Sequence, residues 1–116
     1  MVIESLVKVN EFEGIKYNYI YKLLKDKVMI TYKKQALELE CYGIEIERQD
    51  LKDNKIINSE KDFVKNISPQ KYKVYNLLKM LYNNGVSPIH LIDVLGEYID
   101  EYIIDFDDKI NMCINY

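Results

Sequence analysis

Apolar and polar residues alternate most clearly between Ile15 and Leu23. Ile15, Tyr17, Tyr19, Tyr21 and Leu23 fall on one side of an extended chain, and Lys16, Asn18, Ile20 and Lys22 on the other. A period of two with one wet face is the mark of a half-buried strand in an antiparallel sheet. The three tyrosines are therefore expected to face the core, with Lys16, Asn18 and Lys22 toward solvent. A first strand over residues 2–9 precedes it, and Gly14, free to take positive φ, suits the hairpin loop between them. Lys25-Asp26-Lys27 is expected to turn the chain into a third strand over residues 28–32. A fourth covers residues 37–47, and Asp53-Asn54 turns into a short fifth at residues 55–57. In the fourth strand Leu37, Leu39 and Cys41 share one face while Tyr42, Ile44 and Ile46 share the other. Such a change of phase calls for an extra residue, so a β-bulge is expected near Tyr42-Gly43.

The period then lengthens. Ser68-Pro69 and Ser87-Pro88 each place a hydroxyl before a proline, a combination that starts helices. The first helix should run to about residue 83, with Val74, Leu77, Leu78 and Leu81 as its apolar stripe and Gly85 as a left-handed cap. The second should cover residues 88–103. Leu91, Leu95, Tyr98, Ile99 and Tyr102 fall on one face, with His90, Asp93, Glu97 and Glu101 opposite and Asp100 beside them. The pattern predicts an α+β fold: an antiparallel meander of four to five strands followed by two helices packed on one face. One domain accounts for residues 1–116, with sheet over 1–58, helices over 68–104 and an acidic tail over 105–116.

Composition narrows this further. Sixteen isoleucines and eleven tyrosines stand against one alanine, and fifteen lysines against a single arginine, Arg48. All five enriched or depleted types follow codon AT content, so the bias speaks of a genome and not of an activity. The net charge of −3 is unevenly placed. Residues 1–75 are nearly balanced, whereas residues 76–116 hold two lysines and seven carboxylates. An acidic C-terminal third repels nucleic acid phosphate. Cys41 and Cys113 form no CxxC pair, and two free thiols in a reducing cytosol are the simpler expectation than one disulfide. No apolar run is long enough for a membrane helix, and the first residues have no signal-peptide character. A cytoplasmic setting is expected.

Candidate chemistry is sparse. No P-loop, GxGxxG, GxSxG or HExxH pattern occurs, and no cofactor is expected. His90, Asp93, Glu97 and Glu101 share one helical face and are all metal-ligand types. A metal site ordinarily draws ligands from a second element, and a solvated polar face is the stronger expectation. Asp105, Asp107 and Asp108 lack the spacing and glycine of a calcium loop and read as exposed. The segment NNGVSPIHLIDVLGEY has the cadence of a helix-turn-helix. Its recognition helix would begin near Glu97 and carry Asp100, Glu101 and Asp105 with no cation before Lys109, which opposes DNA binding. Gly96 is then better placed as a close-packing point inside one longer helix.

The stretches CYGIEIERQD, ISPQKYKVYNLLKMLY and VSPIHLIDVLGEYIDEY resemble a family of short uncharacterised proteins from clostridia, a domain of unknown function. The resemblance covers about residues 41–106 and implies a bacterial, cytoplasmic source; it brings no catalytic residues. The leading expectation is a non-enzymatic protein-interaction or regulatory module, with His90, Asp93, Glu97, Asp100 and Glu101 as its interaction face. The alternatives are a helix-turn-helix-like DNA-binding regulator and, third, a small enzyme or metal-binding protein using His90 with helix carboxylates. A protein partner is expected at the acidic helix and a membrane is not; self-association stays open.

Overall fold

A computed structural model of the chain describes residues 1–114, with side chains as far as Met112. Four strands, β1 (Val2–Phe12), β2 (Ile15–Tyr32), β3 (Gln35–Lys52) and β4 (Lys55–Ser68), form one antiparallel sheet in sequential order. Two helices follow, α1 (Lys71–Asn83) and α2 (Leu91–Ile114), with a single 3₁₀ turn at Pro88–His90 between them. This is the α+β meander with two following helices that the pattern predicts.

All three hairpins close with two residues at positive φ: Glu13-Gly14 (52° and 79°), Lys33-Lys34 (47° and 65°) and Asp53-Asn54 (51° and 63°). That backbone matches the right-handed twist of the flanking strands. The middle turn corrects the expected one. Residues 25–27 stay extended inside β2, where Lys25 pairs with Glu40 at 3.5 Å and Lys27 with Glu38 at 3.5 Å across the ladder. The charges that suggested a turn are half of a cross-strand ion-pair set. The third and second expected strands are thus one strand of 18 residues, and the β2–β3 hairpin accounts for the molecule's 58 Å length.

The core lies on one face of the sheet. Tyr21 and Leu23 of β2 stand opposite Ile46 and Ile44 of β3, and α1 covers them with Val74, Leu77, Leu78 and Leu81. Leu91 and Leu95 join from the start of α2. Tyr21 is fully buried and donates its hydroxyl to the Val86 carbonyl at 3.0 Å. Its ring lies 6.5 Å from Tyr19 and edge-on to Tyr82 at 5.8 Å. Tyr19 packs against the same cluster, and Tyr17 is partly buried. On the opposite face Lys16 is exposed and Lys22 pairs with Glu45 at 3.0 Å and Glu47 at 2.9 Å.

An irregularity does occur at Tyr42–Ile44, but its extra residues belong to β4. Tyr42 stands opposite Ser68 and Ile44 opposite Val64, so four steps of β4 span two of β3, and Asn66 takes φ 57°. Pairing of β3 with β2 is unbroken from Gln35 to Leu51. The change of phase in β3 is therefore not made by a bulge in that strand. Leu39 and Cys41 are buried on one face and Ile44 and Ile46 on the other. The bulged β4 backbone lies over Gly43, where an added Cβ would run into the Val64 carbonyl oxygen and come within 2.9 Å of the Lys65 Cα.

The helix starts also differ in detail. Ser68 ends β4, and α1 begins after Gln70 with no side-chain cap. Ser68 Oγ instead accepts the Gln70 N–H at 3.0 Å. The end of α1 is as expected. The Gly85 N–H donates to Tyr82 O and the Val86 N–H to Leu81 O, with Gly85 at φ 60°, a Schellman closure. Lys8 Nζ adds a charge-assisted bond to Tyr82 O at 2.7 Å, favourable at a helix C-terminus. α2 is continuous through Gly96, so the break a helix-turn-helix needs after Leu95 is not there. Gly96 is no close-packing point either: nothing lies within 4 Å of a Cβ built on it. Residues 105–114 continue α2 rather than trailing as a tail, and Asp105 is buried.

Candidate functional site

The outer surface of α2 holds the polar residues the periodicity singled out. His90 closes the 3₁₀ turn, and Asp93, Glu97, Asp100 and Glu101 follow on the helix; all five are exposed. Among the described residues none of the five takes part in an ion pair. Among the described residues no group of three His, Cys, Asp or Glu side chains is placed to hold a metal ion. The arrangement concentrates negative charge that the fold does not neutralise, and such charge attracts cations and cationic surfaces over roughly a Debye length of 8 Å.

Apolar side chains lie beside these carboxylates. Ile92 is 57% exposed, Ile103 56% and Ile104 59%, and Ile89 in the preceding turn is 74% exposed. The underside of α2 is the expected one. Leu91 and Leu95 are buried, and Tyr98, Ile99 and Tyr102 pack against the core. The Tyr98 hydroxyl lies 3.6 Å from Met80 Sδ on α1.

The polar cluster that sequence reasoning missed is Asp105. It is 5% exposed and accepts the Ser68 hydroxyl at 2.8 Å and Lys73 Nζ at 2.8 Å. One carboxylate so ties the end of β4, the first turn of α1 and the middle of α2. The hydrogen bond to Asp105 holds the Lys73 ammonium above its usual pKa. A signal was present: Asp105 continues the buried stripe of Leu91, Leu95, Tyr98 and Tyr102 by one further step of three. All three residues are satisfied by one another, so the cluster is a structural clamp.

Cys41 is a free, buried thiol, pushed up in pKa by burial and then by Asp26, so the nucleophilic thiolate is disfavoured. Its Sγ donates to Asn66 Oδ1 at 2.7 Å, which ties β3 to the bulge in β4. The side chain of Cys113 lies outside the described residues. A cleft of about 290 Å³ opens nearby, lined by Leu24, Gly43, Glu45, Phe63, Lys65 and Asn66; it lies at the small end of ligand pockets. Arg48, Asp50 and Asn58 form another satisfied set, with Arg48 Nε 3.1 Å and Asn58 Nδ2 3.2 Å from the Asp50 carboxylate. No helix among the described residues is long and apolar enough to cross a membrane.

The structure thus defines an α+β protein whose open feature is a charged and partly apolar helix surface. The chain belongs to the DUF6514 family, a family of unknown function, whose model matches residues 1–101. That span takes in all four strands, α1 and the candidate face through Glu101. No curated protein and no solved structure matches the chain.

Proposed function

We propose that this protein is a non-enzymatic interaction module that holds a basic protein partner on the outer surface of α2. The observation that carries the reading is the set of exposed carboxylates, Asp93, Glu97, Asp100 and Glu101, which have no ion-pair partner among the described residues and lie beside exposed isoleucines. Folding gains nothing from such a set, because like charges on successive helical turns repel. Binding a cationic surface removes that repulsion and buries the adjacent apolar area. Duplex DNA and anionic lipid carry the same sign of charge as the face and are disfavoured by the same argument. The AT-rich codon bias and the resemblance to short clostridial proteins support a bacterial, cytoplasmic setting for this partnership.

The test is direct. A fluorescent lysine-rich peptide should bind the protein and dissociate as salt rises from about 0.05 M to about 0.5 M, where the Debye length shrinks severalfold. Replacing the four carboxylates by Asn and Gln should abolish this binding. Equal binding by the neutralised protein would refute the reading.

A further inference from the structure

Along the border between the outer surface and the packed underside of α2, and in the turn before it, the apolar residues follow a heptad. Ile89, Gly96 and Ile103 recur every seven residues, and Ile92, Ile99 and Phe106 fall between them at alternating steps of three and four. At about 100° per residue these positions from Ile92 onward occupy one narrow seam along the helix. Ile92 and Ile103 are more than half exposed, Gly96 and Phe106 are partly covered, Ile99 packs in part against the core, and at Ile110 the seam passes under the fold with 8% exposure. Asp93, Asp100 and Asp107 repeat with the same interval of seven along its outer flank. Leu95 and Tyr102 stand on the inner flank, already packed into the core.

Gly96 sits at the middle of the open seam, and the fold does not explain it. A Cβ there would meet nothing within 4 Å, and glycine inside a helix costs ~1 kcal/mol relative to alanine. A residue that weakens the helix and relieves no clash leaves a notch between Ile92 and Ile103.

From these placements we infer that the seam seats an amphipathic helix of a partner protein, with a large apolar side chain over Gly96 and lysine or arginine facing Asp93, Asp100 and Asp107. This inference rests on the interaction-module reading and gives the partner its shape. Alternating steps of three and four are matched by another helix, whose side chains enter the holes between those of the seam. An extended segment, with a period of two, meets only part of it. The charge on the flank excludes a second copy. An antiparallel pair would set the three aspartates against their own equivalents, and a parallel pair would set them against the flank that Leu95 and Tyr102 have already committed to the core.

Three synthetic peptides of three heptads, about 21 residues each, test this by fluorescence anisotropy against the full chain. One has leucine on its seam and lysine on its flanks, the second has glutamate in place of lysine, and the third is the lysine peptide interrupted by two prolines. The intact lysine peptide should bind and gain helicity, the glutamate peptide should not bind, and the proline peptide should bind at least about tenfold more weakly. Gly96→Leu, which fills the notch, and Ile103→Asp, at an exposed position, should each weaken the intact peptide by about tenfold while neither lowers the melting temperature. Ile103→Asp carries the test if Gly96→Leu disturbs α2. Suppose the proline peptide binds as tightly as the intact one, neither variant matters, and only neutralising the carboxylates abolishes binding. The helical seam is then wrong and the acidic docking surface stands. If neither lysine peptide binds, both fall. Sedimentation showing a dimer that Ile103→Asp dissociates would assign the seam to a second copy and overturn the inference.

Discussion

Gly43 in β3 and Gly96 in α2 both stand inside regular elements, where glycine is ordinarily a weak choice, and their surroundings are opposite. At Gly43 the bulged backbone of β4 crosses so closely that any Cβ would strike the Val64 carbonyl. At Gly96 there is open space. The first glycine is demanded by the fold, because two backbones meet there and neither can retreat. The second is not, and it sits among exposed isoleucines and carboxylates that the fold also leaves unpaired. Where packing decides a residue, its replacement should lower stability; where packing is indifferent, its replacement should lower binding without lowering stability.

The largest expected effect is at the first site. Gly43→Ala forces the β4 backbone off β3 and should destabilise the protein by about 3 kcal/mol, read as a lowered urea midpoint. A variant as stable as the parent would mean that the bulge moves aside freely and that the contrast with Gly96 is illusory. Ser68→Ala comes next. It removes the hydroxyl that donates to Asp105 and accepts the Gln70 N–H, and should cost about 2 kcal/mol.

Tyr21→Phe removes one hydrogen bond, to Val86 O, and should cost about 1 kcal/mol at neutral pH. Burial, then the neighbouring Tyr19 and Tyr82, push the Tyr21 hydroxyl from 10.0 to about 12. The folded chain keeps this proton when the unfolded chain has lost it, so stability is full below about pH 10 and falls as pH rises toward 12. The advantage of the parent over Tyr21→Phe should therefore shrink across that window in denaturation curves measured against pH. Gly96→Ala should have the opposite sign to the others. It should raise stability by up to ~1 kcal/mol, the propensity difference between the two residues in a helix.

The same contrast explains what could be read from the sequence. Gly14 and Asp53-Asn54 supply residues that tolerate positive φ, and both turns lie where they were expected. Lys33-Lys34 adopts the same backbone with no such residue, so the long β2–β3 hairpin was divided at a charged stretch that in fact pairs across the ladder. Burial of β3 on both faces gave the right place for an irregularity and the wrong strand for it, because a period-two pattern in one strand cannot say that its neighbour doubles back over it. On α2 Asp93, Glu97, Asp100 and Glu101 sit on the outer surface as the helical period requires, while His90 falls in the 3₁₀ turn before it. The exposed seam beside them was hidden, since Ile92 and Ile103 border the core stripe on a helical wheel and isoleucine reads as core wherever it stands. Asp105 differs from expectation for the mirror reason: a carboxylate reads as solvated, although its position continues the buried stripe.

The smallest stability effects are expected at the α2 carboxylates. Replacing Asp93, Glu97, Asp100 and Glu101 by their amides should change stability by no more than about 0.5 kcal/mol each, and relief of repulsion favours the helix slightly. The measurement that tests the account most directly combines this variant's melting curve with its titration by the intact lysine-flanked helical peptide. A surface left over by folding and kept for a basic helix predicts an unchanged melting temperature together with lost binding. A markedly lower melting temperature, or binding as tight as that of the parent chain, would contradict it.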